Sequence, residues 1–256
     1  MIMSVHMAVL DQHFTLPKIR KVAANSPVLW LQRGWVDLWS HPGPSLVYGL
    51  LVTLVGALVL SLAINNPYLF TTSITGFLLL APLGAAGIYE LTSEREEGRP
   101  TSFVQSIRDL LANMGQLAFL GLALAMVAIA WERFSAILFA IFYGGQDVSL
   151  SGYLSSLIGE FLPFTIVWSL AGFLLAFLVF GLTAISIPML ADREVDSVTA
   201  MMCSLRATSE NRVVMIQWAA LIVLLTAVGF ITVIGLIVIF PLLGHATWYA
   251  YKDLVE

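Results

Sequence analysis

VVMIQWAALIVLLTAVGFITVIGLIVIFPLLGHATWYAY, residues 213–251, contains no Asp, Glu, Lys or Arg. As one α-helix, its 39 residues would extend about 58 Å, against a bilayer core of about 30 Å. The segment must therefore turn and cross twice. Residues 38–89 are equally free of those four residue types. Only 11% of the 256 residues are charged and 59% are hydrophobic, where a soluble domain carries roughly 25% charge. A membrane β-barrel would alternate apolar and polar residues in segments of about ten, and these runs do not. The fold class is all-α and polytopic.

Six spans are expected, at 46–64, 70–89, 114–131, 164–187, 213–229 and 230–249, arranged as three hairpins. Eleven of the twelve basic residues fall on one side: Lys18, Arg20, Lys21, Arg33, Arg95, Arg99, Arg108, Arg193, Arg206, Arg212 and Lys252. The opposite loops, NNPYLFTT (65–72) and YGGQDVSLSGYLSSLIGE (143–160), have none. The positive-inside rule then places both termini in the cytoplasm. The start, MIMSVHMAVLDQHFTLPKIRK, lacks the basic and apolar regions of a signal peptide. Residues 1–26 are expected to be a mobile tail before a single membrane domain, 27–256.

An amphipathic surface helix is expected before each hairpin. In SPVLWLQRGWVDLWSH (26–41), Arg33, Asp37 and Ser40 share one face, and Val28, Leu31, Trp35, Leu38 and Trp39 another. That pattern suits a tryptophan-anchored helix in the interface. PTSFVQSIRDLLAN (100–113) and VDSVTAMMCSLRATSEN (195–211) occupy the same place before later hairpins. A threefold internal repeat, 27–99, 100–192 and 193–256, is one reading. The other is chance, because Gly and Pro are common in membrane helices. Each unit would close on a proline, Pro82, Pro188 or Pro241, kinking the returning helix. Such kinks would splay the cytoplasmic ends and open a shallow vestibule.

Chemistry-bearing residues are few. One cysteine, Cys203, excludes an internal disulfide and a cysteine metal cluster. His6, His13 and His41 lie outside the spans, and only His245 lies within one. It is expected at the vestibule edge, bonded to a backbone carbonyl or carboxylate, with Trp248, Tyr249 and Tyr251 as an aromatic belt. Haem or metal ligation by His245 is the alternative. Glu132 and Arg133 are expected at the far interface and, as sequence neighbours, not facing each other; a functional buried pair is the alternative. Thr53, Ser61, Ser169, Thr183, Gln217 and Thr226 are the mild polar groups of the spans, expected to bond helix carbonyls. Gly49, Gly56, Gly172 and Gly181 are expected to permit close helix contact. Mixed charges in ELTSEREEGR (90–99) and ADREVD (191–196) are expected to be solvated, with a salt-bridge network or docking face as the alternative. The candidate functional rim is His245, Trp248, Tyr249, Glu90, Asp192 and Arg193. No phosphate-cradling loop, nucleophile with a base, or nucleic-acid signature is present.

Four segments together carry a family resemblance: GWVDLWSHPGPSLVYG (34–49), APLGAAGIYELTSEREEGR (81–99), IPMLADREVDSVTAMMCSLRATSEN (187–211) and PLLGHATWYAYKDLV (241–255). They look like the bacterial integral membrane proteins of domain-of-unknown-function family 2189. The resemblance runs from about Gly34 to the end, and the last segment is its most specific part. It implies a bacterial inner-membrane protein of a family without an established activity. Some members are labelled as cytochrome c oxidase subunits, but a haem-copper core needs several membrane histidines. Many members have a second histidine where this chain has Tyr249, a pair with His245 able to share a metal. The function expected is a non-catalytic accessory, scaffold or assembly partner of another membrane complex, without a cofactor. The alternatives are a passive channel or carrier for a small solute, and a haem- or metal-binding subunit.

Overall fold

The computed structural model describes residues 16–63, 81–112, 114–144, 161–232 and 234–256, with Asn65, Ser73, Gly76, Phe77 and Gly159. The architecture is all-α. The helices are α1 (Ser26–Ser40), α2 (Pro42–Ala63), α3 (Ala86–Glu96), α4 (Phe103–Ala112), α5 (Met114–Tyr143), α6 (Leu162–Thr183), α7 (Ser186–Asp192), α8 (Ser197–Glu210), α9 (Arg212–Thr232) and α10 (Leu236–Leu254). Local chemistry explains several boundaries. Asp196 caps α8 by accepting from the Val198 and Thr199 backbone N–H groups. Gly98, at φ +70°, ends α3 in the left-handed conformation. Its N–H donates to Arg95 O, and Arg99 N–H reaches back to Glu94 O, which satisfies the last carbonyls of the helix.

Among the described residues, four segments are long and apolar enough to cross a membrane: Pro42–Ala63, Met114–Tyr143, Leu162–Asp192 and Arg212–Thr232. They coincide with the expected first, third, fourth and fifth spans. Of the second, 70–89, eight residues lie outside the described residues, and 81–89 belong to the end that the structure describes. The sixth was expected over 230–249, but α9 continues to Thr232 and α10 starts only at Leu236. The turn is stitched by Thr232, whose hydroxyl donates to Val228 O and accepts from Gly235 N. From Leu236 to Tyr249 the helix rises only about 20 Å. Length forces the reversal, and the turn takes up residues the expectation gave to the span.

The returning ends do not splay. Chain interruptions occur at Ala85 and at Ala184–Ile185, while Pro241 sits within a continuous α10. The second break follows directly from Pro188, which has no N–H to offer the Ala184 carbonyl four residues earlier. Ser204 of α8 repairs it, donating to Gly181 O and accepting from Ile185 N. Beyond the breaks, α3, α7 and α10 pack against one another. Ile88, Ile187, Met189, Ala246 and Trp248 fill the junction and are buried. Burying this much apolar surface outweighs an open vestibule.

The short helices surround that junction. α1 lies on α10 and α9, α4 on α3 and α2, and α8 on α6 and α7. In α1 the inward stripe is Trp30, Gly34, Asp37 and Leu38, spaced i, i+4, i+7 and i+8, while Trp35 and Trp39 face outward and touch edge-on. The expected polar face is therefore divided, because Asp37 is buried. Glu132 and Arg133 also differ from expectation, since their long side chains curl together at 2.9 Å. The expected tail is tied at its end: Arg20 N donates to Leu254 O, Glu256 N to Lys18 O, and Asn211 brackets Arg20 and Val22. Residues 1–15 lie outside the described residues.

Close backbone approach sets the position of α10. A Cβ at Gly34 would meet Ala246 N at 2.7 Å, and one at Gly49 would overlap the Ile237 carbonyl. Pro241 leaves that carbonyl without its helix donor, so the glycine packs on an oxygen the helix itself cannot use. Gly49→Ala should destabilise by about 1–3 kcal/mol. Gly43, in the same helix with nothing within 4 Å, should tolerate alanine without loss. Thermal unfolding of both variants in detergent checks the difference.

Candidate functional site

The rim residues lie on α10, α3 and the end of α7, at the junction just described. His245 is buried with both ring nitrogens engaged. Thr92 Oγ1 lies 2.7 Å from Nδ1 and Ser45 Oγ lies 2.9 Å from Nε2. Thr92 Oγ1 also donates to Ile88 O at 3.0 Å. A hydroxyl has one proton, so Thr92 accepts from Nδ1–H, and Nε2 accepts from Ser45. The bonding pattern thus assigns the neutral Nδ1–H tautomer. The partners are side-chain hydroxyls, not the carbonyl or carboxylate expected from sequence. A metal at Nε2 would have to displace Ser45, and no group of three or more His, Cys, Asp or Glu suited to a metal occurs among the described residues.

One turn on, Tyr249 turns to a different neighbour. Its hydroxyl donates to Asp37 Oδ2 at 2.7 Å, and Arg33 lies 5.5 Å from its ring centre. Asp37 also forms an ion pair with Arg95 of α3. Helices α1, α3 and α10 are joined through that single carboxylate. Asp253 performs a similar task nearby, accepting from Trp30 Nε1 at 2.8 Å and Arg33 Nη1 at 3.0 Å.

Trp248 is fully buried, against the expectation of an interfacial belt. It stacks on Tyr89, meets Tyr251 edge-on, and donates from Nε1 to Glu96 Oε2 at 3.1 Å. Tyr251 donates to Asp192 Oδ2 at 2.5 Å and accepts from Arg193 Nε at 2.7 Å. Lys252 reaches Asp192 Oδ1 at 3.2 Å, with its ammonium over the Trp248 ring. Arg193 Nη1 donates to Glu256 O. Burial and the bond to Asp192 push the Tyr251 phenol well above its ordinary value.

Glu90 differs from the rest of the rim. Residues 90–94 belong to the buried part of α3, not to a solvated loop. Burial first, then the nearby Asp109 carboxylate, pushes the Glu90 carboxyl up to about 7. The rim therefore brings His245, Trp248, Tyr249, Asp192 and Arg193 around the end of α10, while Glu90 faces the α3–α4 corner. Sequence reasoning missed Ser45, Thr92, Asp37, Glu96 and Tyr251 as their partners. All five fall inside the segments of family resemblance: Asp37 had been read as the polar face of a surface helix, Thr92 and Glu96 as solvated loop, and Tyr251 as belt.

The family model described as predicted integral membrane protein (DUF2189) matches residues 69–192. Over that segment, 124 of the 256 residues, the chain is similar to this family, and it is an integral membrane protein. The first and last segments of the resemblance, 34–49 and 241–255, lie outside the match. No curated protein and no solved structure matches the chain.

Asp37→Ala would leave Arg95 and the Tyr249 hydroxyl without their shared acceptor. Asp37 is buried, but Arg95 keeps a third of its side chain exposed. The expected loss is about 2–3 kcal/mol, below the ~3–5 of a fully buried pair. Chemical denaturation in micelles measures it, and Arg33→Ala, whose ion pair with Asp253 is partly exposed, should cost about 1 kcal/mol or less.

Proposed function

We propose that this chain is a bacterial inner-membrane scaffold or assembly partner for another membrane complex, without chemistry of its own. The observation that carries this reading is the state of the rim. His245, Tyr249, Trp248, Asp192 and Arg193 spend their donors and acceptors on one another and on neighbouring helices. None presents an activated group to a substrate. By contrast, the flanks of α2, α5 and α9 are uncovered along their lengths, with Leu54, Leu58 and Leu62 forming one open stripe on α2. In a bilayer such flanks meet lipid or another helix.

The reading includes six crossings in three hairpins, with both termini cytoplasmic, as the basic residues favour. Helix spacing supports the threefold repeat. Gly34, Ser106 and Ser204 each stand eight residues before the start of the next helix, at Pro42, Met114 and Arg212. Gly34 touches α10, Ser106 bonds Tyr48 of α2, and Ser204 bonds the end of α6. Each unit's surface helix thus rests on the preceding hairpin, and α1 on α10 closes the ring. A pore finds little support, because Thr53, Ser61 and Thr183 donate to carbonyls of their own helices.

Extraction in mild detergent should yield a stoichiometric membrane partner, identified by mass spectrometry and lost when Leu58 and Leu62 become alanine. Repeated isolation of the lone monomer would overturn the proposal. Separately, a reporter fused after Glu256 should fluoresce as a cytoplasmic protein and stay inactive as a periplasmic phosphatase.

A further inference from the structure

The α3–α4 corner holds two buried polar atoms without partners. Glu90 and Glu94 are 4% and 0% exposed, and Oε1 of each lacks a hydrogen-bond partner. They stand four residues apart on α3, so their side chains are neighbours on one face. Glu94 has a second contact: its Oε2 accepts from Ser102 N at 3.1 Å, immediately before the first residue of α4. A carboxylate there is favoured by the N-terminal end of the helix dipole.

Charges around the pair compensate it only in part, through Arg99. On α3 and the loop behind it are Arg95, committed to Asp37, together with Glu96, Glu97 and Arg99. Arg99 is shared between Glu97 at 2.7 Å and Asp109 at 3.2 Å. Helix α4 contributes Asp109 and the exposed Arg108, and α2 contributes Tyr48, whose hydroxyl pairs with Ser106. α10 contributes neutral His245, held by Thr92, and α7 contributes Asp192 and Arg193, which are committed to Tyr251. Lys252 is turned to Asp192 and Glu96. Arg99 draws both carboxyls down, but burial and the neighbouring Asp109 and Glu97 carboxylates outweigh it, so two ionised carboxylates here would repel each other. The same two carboxylates, lacking a third ligand, suit a proton better than a metal ion.

We propose that Glu90 and Glu94 share one proton, and that this carboxyl–carboxylate pair is an acid-tightened clasp holding α4 against α3. Glu94 remains the carboxylate at the start of α4, and Glu90 carries the proton and donates it to Glu94 Oε1. One proton satisfies both unpartnered atoms. Detaching α4 hydrates Glu90 and returns it to an ordinary carboxylate, near pH 4.5. The held state has the raised value, so it binds the extra proton. The clasp is at full strength below about pH 4.5, weakens as pH rises toward about 7, and weakens no further above that.

Hydrogen exchange on the full chain in lipid nanodiscs tests it. Protection factors of α4 amides should fall about tenfold per pH unit between pH 5 and 7, then level off. Glu90→Gln keeps a donor toward Glu94 without titrating, and should give a flat profile at high protection. Glu94→Gln removes the neighbouring charge and should move the levelling point to lower pH, which keeps the test decisive if the first variant does not fold. A flat wild-type profile, or an unchanged slope in Glu90→Gln, would overturn the clasp. So would a profile that shifts with added magnesium or calcium, because a metal ion would then occupy the site.

Discussion

Three helix ends, α3, α7 and α10, meet at the polar end of the bundle, and each carries groups that cannot be left dry and unpaired. That requirement organises the molecule. An unsatisfied buried polar atom costs about 1–3 kcal/mol, and more if charged. The junction meets it by assigning neighbours across helices: hydroxyls for His245, a carboxylate for each of Trp30, Trp248, Tyr249 and Tyr251. The aromatic bodies provide the apolar burial and their polar tips reach the carboxylates at its edge. Helix α10 is central because it faces α1, α2, α3, α7 and α9 together.

Small residues make this density possible. Gly34 and Gly49 let α1 and α2 approach the backbone of α10 itself. In lipid, where apolar side chains gain little by leaving their solvent, such close contact is a main source of helix association. Pro241 and Gly49 act as a pair. The proline frees a carbonyl, and the glycine lets a neighbouring helix cover it. Pro188 and Ser204 make a similar pair, with a hydroxyl bridging the break. Kinks that would otherwise expose backbone become contact points.

The membrane portion shows the opposite character. Its helices are apolar around most of their circumference and cover little of one another. The proposed scaffold role rests on this contrast between a polar junction and open apolar flanks. Residues 18–20 and 254–256, paired through backbone hydrogen bonds, close the same structure from outside.

The sequence by itself determined that lipid is the solvent, that the chain is helical, and where four of its long apolar helices run. Charge-free length settles these, because no soluble core can absorb such runs and no single helix can use them. It also marked Gly49 as a point of close helix approach, though not Gly34. Which residues face each other was decided only by the tertiary structure. Asp37 shares a helical face with Arg33, and nothing local says that it turns inward to Arg95 and Tyr249. Glu90 and Glu94 read as solvated loop charge, since burial depends on α4 folding back across them after Gly98. His245 bonds Ser45 and Thr92, two hundred and about one hundred and fifty residues away along the chain. Hydrophobic length is a property each segment carries alone, whereas the pairing of buried polar groups exists only once distant helices have been brought together.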